Sequence, residues 1–209
     1  TSSSGSDLVQ FFGIEIVNSV LYSYSLSFSF LILTFFQPIL SGIADFSGNK
    51  KLFLRLFMYL GSFACMSLYF FDGNNIEFGI ISSVIASIGF TGSLVFYNAF
   101  LPEIASEDDL DKISARGYTF GYIGSVISLI ICLILIQMFD VFGFKDSKSA
   151  TKFTFLLVGI WWIVFSQITL YFIPQKAKKI KLNFEILSHG IKELIKVWNY
   201  IKNVRNLKL

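Results

Sequence analysis

Long stretches without a charged residue constrain this chain more than any other feature of its sequence. The first runs from residue 16 to residue 44 and holds 29 consecutive uncharged residues. A helix needs about 20 residues to cross the roughly 30 Å hydrocarbon core of a bilayer. Four later stretches reach that length, namely residues 52–71, 78–102, 117–139 and 153–175. The sequence therefore predicts five membrane-spanning segments.

The composition and the length of these stretches favour helices over any other membrane structure. Hydrophobic residues make up 54% of the 209 residues, and charged residues only 15%, whereas soluble domains contain about 25% charged residues. A transmembrane strand would span about 9–11 residues with alternating polarity. The stretches here are longer and do not alternate, so we expect an all-α integral membrane fold.

One charge interrupts the second stretch. Arg55 lies one helical turn from its start. At the centre of a bilayer an arginine costs roughly 2.5–3.5 kcal/mol, but near a helix end its long side chain can extend to the interface. We therefore expect residues 52–71 to span the membrane with the guanidinium at the boundary.

The lysines and arginines predict how the chain is oriented. Alternating spans place 14 of the 17 basic residues on one side and leave only Lys145, Lys148 and Lys152 on the other. Basic residues accumulate on the cytoplasmic side of membrane proteins. We expect cytoplasmic loops at residues 45–51 and 103–116 and a cytoplasmic C-terminus. Residues 1–15 are then an extracellular or periplasmic segment, and residues 140–152 an outside loop.

The last segment, residues 176–209, has a different pattern and is too charged to span. Its apolar residues recur at helical spacing, at Phe184, Leu187, Ile191, Leu194, Ile195, Trp198 and Ile201. This pattern predicts an amphipathic helix at the cytoplasmic interface or against the cytoplasmic helix ends. A helix that binds a partner protein fits the same pattern.

The turn at residues 45–51 concentrates unusual chemistry at a membrane boundary. A carboxylate, a glycine and two lysines follow one another within seven residues, as Asp45, Gly48, Lys50 and Lys51. One interpretation is a tight turn whose lysines merely follow the positive-inside rule.

Polar and small residues inside the spans are candidates for a solute pathway. Hydrocarbon offers polar side chains no partner, so some should face a cavity; the candidates are Tyr24, Gln37, Tyr97, Asn98, Tyr118 and Tyr122. Hydrogen bonds between helices are the alternative. Gly117, Gly121 and Gly124 recur at helical spacing and allow close helix packing, or a sliding interface, along one span.

The sequence shows no catalytic or metal-binding pattern, so we expect neither an enzyme nor a cofactor or metal site. Nucleophile elbows, zinc-protease motifs, phosphate-binding loops and dinucleotide fingerprints are all missing. The acidic run around Asp108 lacks the ligand spacing and glycine of a calcium loop, which favours a solvated loop, and Ser106 with Asp109 could cap a short helix. Cys65 and Cys132 lie in apolar runs and are expected to be small core residues.

The charged turn resembles a family signature. Major facilitator transporters carry G-x-x-x-D-[RK]-x-G-[RK]-[RK] between their second and third helices, and Asp45, Gly48 and Lys50 match it. The sequence departs from it where Ser41, Phe46 and Asn49 stand. The turn and its surroundings resemble the vacuolar-effluxer-like branch of these transporters. The segments that carry this resemblance are P-I-L-S-G-I-A-D, F-Y-N-A-F-L-P-E-I-A and S-A-R-G-Y-T-F-G-Y-I-G-S. That branch includes bacterial "unknown major facilitator" proteins and the fungal autophagy-related amino-acid effluxer.

The resemblance implies a fold, a function and several partners. The five spans would be helices two to six of a twelve-helix fold, and residues 176–209 the linker between its halves. The partners would be the lipid bilayer, a missing first helix, the C-terminal half and a small-molecule substrate. The function would be secondary transport by alternating access, for example efflux of an amino acid or related metabolite, across a bacterial inner (plasma) membrane. The charged turn would be a latch against the other half.

A second function stays open at this point. The basic amphipathic segment could make the chain a non-transporting membrane module that binds a partner protein or a lipid surface. No feature of the sequence indicates a nucleic-acid partner.

Overall fold

Five long helices dominate the structure, a computed structural model that describes residues 7–174, with the side chains of residues 45–47 excepted. Each is long and apolar enough to cross a membrane, which confirms the prediction of five spanning helices. They are α1 (Asn18–Ser47), α2 (Lys50–Ser67), α3 (Ile76–Asn98), α5 (Leu110–Gln137) and α6 (Ser147–Phe172). The amphipathic helix predicted for residues 176–209 lies outside the described residues.

Shorter elements connect and precede the spans. Strands β1 (Leu8–Phe11) and β2 (Ile14–Val17) form an antiparallel hairpin before α1. The short helix α4 (Leu101–Ile104) follows α3, and 3₁₀ turns lie at Leu68–Phe70 and Glu107–Asp109.

Two predicted cytoplasmic loops are largely helical. Within residues 45–51, α1 continues to Ser47 and α2 begins at Lys50, so Gly48 and Asn49 alone form the turn. Within residues 103–116, α5 already begins at Leu110. The physical reason is that the charge pattern marks where the hydrocarbon ends, while a helix can continue into the interface because water solvates its polar side chains.

Helix α2 lies at the centre of the bundle because glycines let its neighbours approach closely. A Cβ atom added to Gly89 of α3 would overlap the backbone of α2 at Gly61. On another face, a Cβ added to Gly159 of α6 would overlap Met66 and come within 2.9 Å of the Ser62 carbonyl oxygen. Ser62 is completely buried at this contact. Close backbone packing of this kind is how helices associate in lipid.

Aromatic packing completes the core toward the end of the bundle that carries Lys50 and Lys51, which we call the basic end. The ring of Phe96 is 2% exposed and stacks against Phe53 and Phe57, with centroid distances of 5.3 and 5.7 Å. Phe100 and Leu170 belong to the same buried cluster. The cluster fixes the last turns of α3 and α6 against the first turns of α2.

Helices α1 and α5 lie at the periphery. Only 17% of the α1 span and 11% of the α5 span are buried, against 44% for α2. A Cβ added to Gly121 or Gly124 of α5 would meet no atom of the described chain within 4 Å. The predicted glycine face of α5 is therefore open at these two positions within residues 7–174.

The hairpin covers the opposite end of the bundle, which we call the hairpin end. Its two-residue turn requires a positive φ at both central positions, and Phe12 and Gly13 have φ values of 48° and 82°. The Phe12 backbone N–H donates to a carboxylate oxygen of Glu77 at 3.1 Å. This hydrogen bond holds the hairpin tip to the first turn of α3. The alternation of L-V-Q-F and I-E-I-V around F-G could have predicted this hairpin.

Aspartates organise the connections at the hairpin end. Asp146 caps α6 by accepting hydrogen bonds from the backbone N–H and the hydroxyl of Ser149, both at 2.7 Å. These bonds lower the pKa of Asp146. The backbone N–H of Asn74 likewise lowers the pKa of Asp72, and Lys148 donates to the Asp72 backbone carbonyl. Both carboxylates are thus used to fix the starts of helices and turns.

The Asp146 cap makes the order of the first turn of α6 depend on pH. The pKa of Asp146 lies below the ordinary value of 3.8. The cap therefore stabilises the helix fully above pH 3.8, and this stabilisation disappears as the pH falls through the lowered pKa. We expect faster amide exchange at residues 147–151 at about pH 3 than at about pH 6 after correction for intrinsic rates. Asn keeps the capping oxygen but does not titrate, so Asp146→Asn should reduce the pH dependence. An unchanged dependence would contradict this role of Asp146.

Candidate functional site

The charged turn has a backbone that only glycine adopts easily. Gly48 has a φ of 65°, and the Asn49 N–H donates to the Ala44 carbonyl at 3.2 Å. This is the hydrogen bond that ends a helix with a left-handed glycine. Gly48 thereby reverses the chain so that α2 begins two residues later. The predicted role of Gly48 in the turn follows from its conformation.

The two lysines after the turn bind the ends of other helices. The Lys50 ammonium donates to a carboxylate oxygen of Glu103 at 3.1 Å and lies 3.4 Å from the Ala99 carbonyl oxygen. The Lys51 ammonium donates to the Ile173 carbonyl at 2.9 Å. Ala99 and Ile173 are the residues at which α3 and α6 end. Cations are favoured at helix C-termini, where carbonyl groups lack partners within the helix.

The lysines therefore join three helix ends at the basic end of the bundle. The Lys50 and Glu103 side chains are only 21% and 22% exposed, so water screens their ion pair less than it would screen a surface pair. Sequence reasoning singled out Lys50 and Lys51 but not Glu103. The signal that could have drawn attention to Glu103 is its position directly after the third predicted span, at the same predicted end as Lys50 and Lys51.

Two cavities lie between α3, α5 and α6. The first, the Asn98 cavity, has a volume of about 280 Å³ and lies among the last turns of α3 and α6 and the first turns of α5. The second, the Trp162 cavity, has a volume of about 300 Å³ and extends deeper along α3 and α6. Tyr97 and Thr169 line both cavities. These two side chains therefore stand at the junction of the cavities.

Three predicted pathway residues line the Asn98 cavity, where they contact one another or the backbone of α5. The Asn98 side-chain amide donates to the Tyr118 hydroxyl at 3.3 Å, which joins α3 to α5. The Tyr97 hydroxyl lies against Gly117, where an added Cβ would be only 2.7 Å from the hydroxyl oxygen. Gly117 thus gives the phenol the room to reach the junction of the two cavities. Of the described residues that line either cavity, none carries an acidic or basic side chain.

Other predicted pathway residues lie elsewhere. Tyr24 and Tyr122 are 66% and 71% exposed on the periphery, and neither lines the two cavities. Gln37 is half-buried in α1 and also lies outside them. Gly121 lines the Trp162 cavity. Ser93 and Ser166, which sequence reasoning did not propose as cavity-lining, contribute hydroxyl groups to the same cavity.

The remaining reactive groups do not form a site in the part of the chain that the structure describes. Cys65 and Cys132 are free thiols; Cys132 is buried, and the Cys65 sulfur lies 3.6 Å from the Phe155 carbonyl oxygen. Among residues 7–174, no group of three histidine, cysteine, aspartate or glutamate side chains could hold a metal ion.

The Lys50–Glu103 pair should couple α2 to the end of α3. We expect Lys50→Met and Glu103→Gln to be non-additive in a double-mutant cycle, with a coupling free energy of about 1 kcal/mol. The free energy of unfolding in mixed micelles measures it, and raising the salt concentration should reduce it. Lys112→Met, which removes an exposed cation at the same end, serves as the control and should not couple to Glu103→Gln. Additive effects of Lys50→Met and Glu103→Gln would contradict the pairing.

Comparison with known proteins identifies the family. The sequence profile described as "Vacuole effluxer Atg22 like" matches residues 1–111 and 106–209. The chain is 31% identical over 199 residues to a Bacillus subtilis protein named "Uncharacterized MFS-type transporter YxiO", which covers 94% of this chain and 46% of that protein.

Fungal relatives match as well. "Autophagy-related protein 22" of Gibberella zeae is 35% identical over 121 residues, which covers 58% of this chain and 18% of that protein. The corresponding protein of Pyricularia oryzae is 24% identical over 214 residues, with 76% and 31% covered. The chain thus spans about half the length of the Bacillus relative and less of the fungal ones, and no solved structure matches it significantly. The profile covers the whole chain, and the chain therefore belongs to the Atg22-like vacuole effluxer family of membrane transporters.

Proposed function

We propose that the chain forms the N-terminal part of a secondary transporter that moves a small solute by alternating access. In this proposal α1, α2, α3, α5 and α6 are helices two to six of a twelve-helix fold, and residues 176–209 link its two halves. The proposal is supported by the match to a relative named as a transporter, of which the chain covers 46%. Its candidate location is the bacterial inner membrane, with the basic end in the cytoplasm.

The cavities at the α3–α5–α6 contact are the observation that carries the proposal. They offer hydroxyl and amide groups inside membrane-spanning helices, where such groups are costly unless they bind something. The Tyr97 and Thr169 hydroxyls form no hydrogen bond within residues 7–174, unlike the hydroxyls of Ser23, Thr34 and Thr119, which donate to the carbonyl one turn earlier. In our proposal a solute on its way across the membrane binds these free groups.

The peripheral position of α5 supports movement at this site. Its span is the least buried of the five, and its contact with α3 through Asn98 and Tyr118 is a single 3.3 Å hydrogen bond. A helix held by few contacts can shift at small energetic cost. We propose that displacement of α5 opens and closes the cavities during transport.

The charged turn is the proposed latch between the two halves. Lys50 and Lys51 bind helix ends within this bundle, so in our proposal they set the position of the turn. The Asp45 carboxylate, in the last turn of α1, then meets the N-terminus of a helix in the second half, where anions are favoured. Such a contact would stabilise one of the two states by about 1–3 kcal/mol, a typical coupling energy.

Transport by the full-length protein tests both the function and the latch. Reconstituted vesicles should accumulate or release a labelled solute, for which a mixture of labelled amino acids is the first probe. Asp45→Asn removes the charge and should lower the initial rate by roughly tenfold, the effect of losing about 1.4 kcal/mol. Asp111→Asn, an exposed carboxylate at the same end, is the matched control and should leave the rate unchanged.

The outcomes separate the function from the latch. An Asp45→Asn protein that transports at the wild-type rate would refute the latch and leave the transporter standing. Wild-type vesicles that move no solute from a broad labelled set would refute transport itself and favour a non-transporting membrane module.

Gly117 gives a second test, directed at the cavities. In Gly117→Ala the new methyl group would lie 2.7 Å from the present position of the Tyr97 hydroxyl oxygen, so the phenol must move away from the junction. We expect the KM of the transported solute to rise about threefold to tenfold, the effect of losing one hydrogen bond. Gly124→Ala adds the same methyl group where nothing lies within 4 Å, and its KM should equal that of the wild type. Equal KM values for both variants would exclude a role for the Tyr97 hydroxyl.

A further inference from the structure

A third concave region lies on the outer surface of the bundle, between α2 and α6 at the basic end. Its volume is about 700 Å³, and we call it the Arg55 groove. Lys51 and Arg55 line it from α2, and Gln167, Ile168, Tyr171 and Phe172 line it from α6. The groove shares no residue with the Asn98 cavity except Phe172. It is therefore a separate feature of the molecule.

The groove has the chemistry of an anion site. Lys51 and Arg55 are four residues apart on α2 and so lie on one face of the helix. Among residues 7–174, no acidic residue lines the groove, and Arg55 forms no ion pair or hydrogen bond. A guanidinium presents planar, paired donors that match two oxygens of a phosphate group. Tyr171 also lines the groove and carries a hydroxyl donor.

The surroundings of the groove select an anion that carries apolar chains. Exposed apolar side chains continue from the groove toward the middle of both helices: Leu56 on α2, and Val164 and Ile168 on α6, are 53–54% exposed. Both helices are membrane-spanning. Arg55 lies about 6 Å further along the helix axis than Lys51, so both cations lie within the first two turns of α2, near the end where the interface is expected. Tyr171 and Phe172, 82% and 76% exposed, are aromatic residues placed where the interface is expected.

We propose that the Arg55 groove binds an anionic phospholipid. Arg55 and Lys51 contact its phosphate oxygens, and an acyl chain lies along Leu56 and Ile168. Gln167 is held in place because its amide oxygen accepts from the Tyr59 hydroxyl at 3.3 Å and its nitrogen donates to the Ile163 carbonyl at 3.3 Å. This bracing keeps one wall of the groove fixed. The proposal concerns lipid binding and holds whether or not the protein transports a solute.

Lipid binding to the full-length protein in detergent tests the proposal. Native mass spectrometry measures the affinity for phosphatidylglycerol, for phosphatidylcholine of the same chain length, and for inorganic phosphate. We expect phosphatidylglycerol to bind most tightly and Arg55→Gln to weaken its binding about fivefold, the effect of one cation at a membrane surface. Arg55→Lys keeps the charge but loses the paired donors, so its affinity should lie between those of Arg55→Gln and the wild type. Arg116→Gln removes an exposed arginine at the same end outside the groove and should leave the affinity unchanged.

Three results would overturn the proposal. The first is equal phosphatidylglycerol affinity of Arg55→Gln and the wild type. The second is an equal loss in Arg116→Gln, which would show a general effect of net charge. The third is binding of inorganic phosphate as tight as that of the lipid, because it would assign the groove to a soluble anion.

Discussion

The close approach of α2 to α3 and α6 is the contact on which the rest of the structure depends. At Gly61 and Gly89 the two backbones touch, and at Gly159 α6 packs against the Met66 side chain and the Ser62 carbonyl oxygen of α2. In lipid there is no hydrophobic force to press helices together, so association depends on dispersion contacts, which fall off steeply with distance. A side chain at any of these positions would separate the helices. The aromatic cluster around Phe96 and both cavities would then lose their walls.

The central position of α2 explains why the charged turn matters. Because the turn leads directly into α2, the first residues of α2 reach the ends of both neighbouring helices. Lys50 reaches the end of α3, and Lys51 the end of α6. Their ammonium groups satisfy backbone carbonyls that the helices leave without partners. The same two lysines that a positive-inside count treats as markers of orientation are therefore structural ties. A change in the position of α2 would move both helix ends, which line the Asn98 cavity.

The sequence predicted the parts of this structure that follow from solvation alone. Charge-free stretches predicted the five spans, because placing a charged side chain in hydrocarbon costs several kcal/mol of free energy. Arg55 was correctly expected to leave its helix intact. Tyr97, Asn98 and Tyr118 line the Asn98 cavity, while Asn98 and Tyr118 also form the hydrogen bond between helices that was the alternative. Contacts between distant residues could not be read in this way. Tyr24 and Tyr122 have the same polarity as Tyr97, yet they lie on the periphery, because the side on which a residue lies depends on helix rotation and neighbour identity.

Gly61 and Gly159 were missed for the same reason, as isolated glycines without a repeating partner. Glu103 was missed because pairing with Lys50 requires the bundle to be folded.

One departure of the charged turn from the family signature, the one at position 49, can be compared with the structure. Asn49 stands where the signature has its first basic residue, and it occupies the N-cap position of α2, where its side chain forms no capping hydrogen bond. Since the helix proper begins with Lys50, the cations lie on its first turn instead. From there Lys50 pairs with Glu103 at 3.1 Å, and the half-buried setting makes that pair stronger than a pair in free solution. The replacement at position 49 therefore does not remove a cation from the basic end. The turn between α1 and α2 requires a left-handed glycine at position 48 and a cation that reaches the end of α3. Gly48 and Lys50 meet these two requirements.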